Sequence, residues 1–102
     1  MSEVKFPGFT LPVSDTIDAY QRKMHINVRN GKVTIVHRWK DRKSNKKHTQ
    51  RVTLDDMQVA RLMAALSVAT NVTCHGEEPK WDAIKAKFDA TGKPLAEASK
   101  LK

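Results

Sequence analysis

The chain has 102 residues, enough for one domain with a modest core, and its 19 Lys and Arg exceed its 11 Asp and Glu by a net charge of +8. At 39% hydrophobic and 29% charged residues it has the composition of a folded globular protein, which excludes disorder except at the ends and in the loop from Arg42 to Lys47. No apolar run reaches transmembrane length and the N-terminus lacks a signal-peptide core. The expectation is a cytoplasmic or nucleoid/nuclear protein, not secreted, with its single Cys74 unpaired.

Residues 1–20 read as an N-terminal arm. Pro7, Gly8 and Pro12 break any long element, Ser14 to Tyr20 allows one helical turn, and Phe6, Phe9, Leu11 and Ile17 can pin the segment onto the domain. From Lys23 the pattern changes. Met24, Ile26 and Val28 alternate with His25, Asn27 and Arg29, then Asn30-Gly31 supplies the positive φ angles of a type I′ turn. The alternation resumes with Val33 and Ile35, and after the polar run Asp41 to Lys47 a third strand follows from His48 to Leu54. One face of this meander collects Met24, Ile26, Val28, Val33, Ile35, Val52 and Leu54 for a core. The other carries His25, Asn27, Arg29, Lys32, Thr34, Arg38, Lys40, Arg51 and Thr53, with Val36 as an apolar exception.

Between Arg22 and Arg51 eleven Lys or Arg face the single Asp41, a local charge of +10 that leaves −2 for the rest of the chain. A field of one sign repels itself unless a polyanion neutralises it, and a wet antiparallel face suits single strands, so the face predicts a nucleic-acid surface. Trp39 serves equally as a stacking platform or as a core-edge aromatic, because its parity matches Val33 and Ile35.

Thr53 or Asp55 can cap a helix running to about Thr70. Its first apolar stripe is Val59, Leu62, Met63 and Leu66. A second stripe, Met57, Ala60, Ala64 and Val68, exceeds what one small sheet can cover and is expected to bury against a symmetry mate. Pro79 starts a last helix, Lys80 to about Ala90, with Trp81, Ile84 and Phe88 on one face. Gly92 and Pro94 are expected to end it and leave a mobile tail from Lys93. Cys74 and His75 are adjacent but have no second short-spaced ligand pair and no oxyanion motif, so neither a metal site, a cofactor nor a catalytic centre is expected, and the chain reads as a non-enzyme. Asn71-Val-Thr73 matches a glycosylation acceptor only by accident.

The fold class that results is α+β: an antiparallel three- to four-stranded sheet, an amphipathic helix and an additional C-terminal helix, as a homodimer. The arm (1–20) is followed by a sheet-plus-helix core (21–72) and a C-terminal helix with its tail (73–102). The run Lys23 to Trp39, the polar loop and Gln50 to Leu62 together resemble the core of the positive cofactor four family of transcriptional coactivators, over about residues 22–70. The resemblance lies in order and spacing, and it implies a helix-joined dimer that binds single-stranded DNA on its sheets, in transcription, replication or repair. It carries the family's contacts onto Lys32 and Arg38, with Trp39 as the following aromatic and Lys46, Lys47 and Arg51 as approximate counterparts of its basic pair. Asn30-Gly31 replaces the family's first-turn aromatic. With Arg29 and Lys40 these residues form the expected DNA site, and transcription or replication proteins are the expected further partners. Two alternatives remain open: a sequence-specific duplex reader, and a small regulator using the basic sheet on an acidic surface of polymerase or nuclease.

Overall fold

The turn at Asn30-Gly31 sets the register of the sheet. In the computed structural model, which describes residues 4–14 and 17–100, Asn30 and Gly31 have φ of 53° and 71°, the two left-handed positions that a type I′ hairpin needs. Strand β2 (Lys23–Arg29) therefore pairs antiparallel with β3 (Lys32–Lys40), from Arg29↔Lys32 at the turn to Lys23↔Arg38 at the far end. β4 (Lys47–Leu54) pairs with the other edge of β3, from Lys40↔Lys47 to Val33↔Leu54. A fourth strand, β1 (Phe9–Pro12), lies beside β2 through Phe9↔Ile26 and Leu11↔Met24, giving the order β1-β2-β3-β4.

β1 falls in the segment where the sequence shows only breakers. Two of the three breakers have a place: Pro12 ends an edge strand, and Gly8 takes φ 86°, which favours glycine, with a Cβ there sitting tightly against the His25 ring at 3.2 Å. The Thr10 hydroxyl bonds His25 Nδ1 at 2.9 Å and ties β1 down. Ahead of β2, the Asp18 carboxylate accepts from the Tyr20 and Arg22 amides and from Arg22 Nε, and Gln21 N donates to Asp18 O. The expected helical turn over 14–20 lies partly outside the described residues; its described end is this Asp18-centred turn.

α1 (Asp56–Thr73) follows β4 directly, with Asp56 in its first turn at the positive end of the dipole. α2 (Glu78–Ala98) starts with Pro79 in its first turn, where the missing N–H costs nothing. It does not stop at Gly92 and Pro94, as the sequence suggested, but runs through both. Half-buried Leu95 and Ala96 hold the turn beyond Pro94, and Ser99 closes it with two bonds to Leu95 O, from its amide at 2.9 Å and its hydroxyl at 2.7 Å. The mobile tail expected from Lys93 is therefore helix to Ala98. Because nothing lies within 4 Å of a Cβ built at Gly92, Gly92→Ala should stabilise the protein by about 0.5–1 kcal/mol, read as a raised Tm.

The chain divides into two units, Gly8–Asp56 with the sheet, and the described residues on either side of it with the helices. No described helix is long and apolar enough to cross a membrane. The α+β class, a four-stranded antiparallel sheet followed by two helices, is as expected. Burial on the sheet is not. Val28 and Val52, assigned to the core, are each 48% exposed, whereas Thr34 at 5% and Val36 at 4% are the most buried sheet residues and stand on the charged face. Strand order accounts for part of the contrast with Val28 and Val52. β3 has a neighbour on both sides, so Val36 sits between His25 and Arg51 and Thr34 between Asn27 and Thr53, while Val52 is on the edge and Val28 is beside the turn.

Candidate functional site

Directly paired residues of an antiparallel ladder share a face, so the register assigns each strand side chain. One face carries Lys23, Arg29, Lys32, Arg38, Lys40, Lys47 and Arg51, with His25 among them. None of the four strands contains an acid. Three of the direct pairs are cation against cation: Arg29↔Lys32, Lys23↔Arg38 and Lys40↔Lys47. Six of the eight residues expected at a nucleic-acid site are thus brought together: Arg29, Lys32, Arg38, Lys40, Lys47 and Arg51. Lys46 is in the β3–β4 loop, with its carbonyl bonded to the Asp41 amide at 2.8 Å. Lys23 went unnoticed in the sequence, although counting back from the Asn30-Gly31 turn places it opposite Arg38.

Trp39 belongs to the other face. It is stacked between His37, at a centroid distance of 4.9 Å, and His48, at 5.2 Å, and shares that face with Ile35 and Val33. Its role on the sheet is that of the apolar-face aromatic and not of a ring presented beside Arg38.

The β3–β4 loop, expected to be disordered, is tied at several points. Asp41 accepts from His48 Nε2 at 3.0 Å and from the Ser44 hydroxyl at 3.0 Å, while Lys40 Nζ donates to Asn45 Oδ1 at 3.3 Å and Asn45 takes φ 58°. The His48 bond, then the Ser44 bond, hold the Asp41 carboxyl below its ordinary value of 3.8. A lowered folded-state value means that the charged form stabilises the fold above the ordinary value and that this contribution is lost as pH falls through the folded value. Asp41→Asn should therefore loosen the loop at neutral pH, with the difference from the unsubstituted chain shrinking below pH 3.8; hydrogen exchange at the loop amides measures it.

The helices present a different chemistry. Of the eighteen residues of α1 only Asp56 and Arg61 are charged, yet none is buried: Met57 and Met63 are 64% exposed, and Leu66, Val68 and Val72 are more than half exposed. A helix apolar on more than one side normally has protein around it. The residues expected at a dimer interface, Met57, Ala60, Ala64 and Val68, all lie on this exposed surface. On α2, Trp81, Ile84 and Phe88 are exposed as well. Between the helices, Asn71, Cys74, His75, Gly76, Glu77, Glu78, Pro79 and Trp81 line an open cleft of about 670 Å³, in which Cys74 is a buried free thiol. No group of three or more metal-ligating side chains occurs among the described residues.

Comparison with known proteins gives a family. The sequence model described as inhibitor of toxin/antitoxin system (Gp4.5) matches residues 1–93. The Gene 4.5 protein of Enterobacteria phage T3 is 60% identical over 62 residues, 61% of this chain and 66% of that protein, and so is spanned over just under two thirds of its length. The Inhibitor of toxin/antitoxin system of Escherichia phage T7 is 56% identical over 66 residues, 65% of this chain and 74% of that protein. No solved structure matches.

These matches overturn the resemblance to positive cofactor four and what it implied: a single-stranded-DNA-binding coactivator with transcription or replication partners. The duplex-reading and polymerase- or nuclease-directed alternatives fall with it, since the family's description names a toxin/antitoxin system as what is inhibited. The misleading likeness had a physical origin. A hairpin, a basic loop, a strand ending in Val-Thr-Leu and a helix describe many basic meanders, so their order alone does not select a family. The match across 1–93 takes in the arm, all four strands, α1 and most of α2, and on it the chain belongs to the Gp4.5 family of inhibitors of toxin/antitoxin systems.

Proposed function

We propose that this chain inhibits a bacterial toxin/antitoxin system by binding one of its protein components, without catalysis. The observation that carries the reading is the family match over residues 1–93. The exposed apolar side chains of α1 and α2 support it, since surfaces of this kind are where proteins meet proteins. We place its action inside the bacterial cell, in keeping with the cytoplasmic or nucleoid location expected from the sequence.

The active form in this proposal is a homodimer joined through α1. Two chains of net charge +8 repel each other, and α1, with one Asp and one Arg, offers a neutral apolar surface for the contact. The test of the function is growth of a bacterial host in which a resident toxin/antitoxin pair is triggered, with and without this chain. Relief of the growth arrest is the expected result; arrest of equal depth and duration in both cultures would remove the proposal.

A further inference from the structure

We propose that the basic face of the sheet is the surface that receives the partner, and that the partner presents an acidic protein segment to it. This rests on the protein-directed reading above and names the chemistry of the contact. The first observation is the set of opposed cations. Like charges placed directly across an antiparallel ladder destabilise the sheet, yet this face keeps Arg29 against Lys32, Lys23 against Arg38 and Lys40 against Lys47, and the strands contain no acid to offset them. Folding gains nothing from that arrangement. A row of carboxylates laid on the face relieves all three pairs at once.

A second observation separates protein from nucleic acid. Unpaired bases need aromatic platforms beside the cations, and Trp39 is on the opposite face, stacked between His37 and His48. The basic face offers charge and exposed hydroxyls (Thr49, Thr53) but neither Trp, Tyr nor Phe on β2, β3 or β4.

The test measures fluorescence anisotropy of a labelled 20-residue Glu-rich peptide and of a labelled 20-nucleotide single strand, each at low and at near-physiological salt. The variant R38E/R51E is compared with K85E/K87E, which makes the same charge change on α2. Arg38→Glu faces Lys23 and turns a repulsive pair into an attractive one, so this variant is expected to fold, with a Tm no lower than that of the unsubstituted chain. The expected result is a loss of peptide affinity of tenfold or more in R38E/R51E and less than twofold in K85E/K87E. Equal losses in both double variants would overturn the proposal, because net charge alone would then explain binding. So would absence of peptide binding, or tighter binding of the DNA strand at both salts.

The growth assay separates this proposal from the functional one. If R38E/R51E still relieves the arrest, the docking face is wrong and the function stands. If the unsubstituted chain gives no relief while the peptide result holds, the function is wrong and the face still binds acidic protein.

Discussion

Val36→Lys should unfold much of the protein at room temperature. Val36 is 4% exposed on the central strand, and its direct neighbours on the same face are His25 and Arg51. An ammonium there is buried without an acid to pair with, at a cost of about 3–5 kcal/mol, comparable to the whole stability of a small domain. Val36→Glu introduces similar bulk and the same burial but meets Arg51 as a partner. Cross-strand charge pairs contribute roughly 0.2–1 kcal/mol each, so replacing repulsion by attraction at Arg51 should separate the variants by about 1 kcal/mol, with Glu the milder. Urea denaturation of the two variants measures the gap. Equal destabilisation would mean that the field on this face is not of one sign.

Ala64→Glu with Val68→Glu should convert the proposed dimer into a monomer while leaving the helical circular dichroism unchanged. Both positions are exposed on α1, and Glu is a good helix former, so the isolated chain has little reason to unfold. Across a two-fold axis the substitutions bring four carboxylates into an apolar contact. The expected weakening of association is about 100-fold or more, roughly 3 kcal/mol. Sedimentation equilibrium reads it directly: the unsubstituted chain at twice its 11.5 kDa mass, the variant at once that mass. An unsubstituted chain that sediments as a monomer at every concentration would remove the dimer from the proposed function.

The two units of the chain differed in how much of them could be read from sequence, for identifiable reasons. The β2–β3 hairpin was legible because Asn30-Gly31 is a local device: two residues with positive φ fix the register of every pair between Arg29↔Lys32 and Lys23↔Arg38. β1 was not, since Phe9–Pro12 has no alternation of its own and becomes a strand only through pairing with β2. The end of α2 was misread for a related reason. Gly92 and Pro94 are local breakers, but the bonds that close the last turn at Ser99 and the burial of Leu95 and Ala96 outweigh them. The candidate site shows the same division: parity alone assigned Arg29, Lys32, Arg38, Lys40 and Arg51 to one face and placed Trp39 with Val33 and Ile35.

The partner was the least legible property. A concentration of cations favours an anionic ligand, and phosphate and carboxylate satisfy the same Coulomb term. The order of strands and helix suggested a DNA-binding family because elements of that kind recur, and fold order does not by itself carry function. Composition, charge distribution, the hairpin and the apolar excess of the helix at 56–73 were determined by the sequence alone, because each depends on residue types and on neighbours a few positions apart. Tertiary structure decided which side chains of β3 are buried, that Lys40 stands opposite Lys47, that the Thr34 hydroxyl is left without a partner and that Trp39 is stacked on two histidines. Those facts depend on contacts between strands distant in sequence, and burial and pairing acquire values only when the strands are side by side.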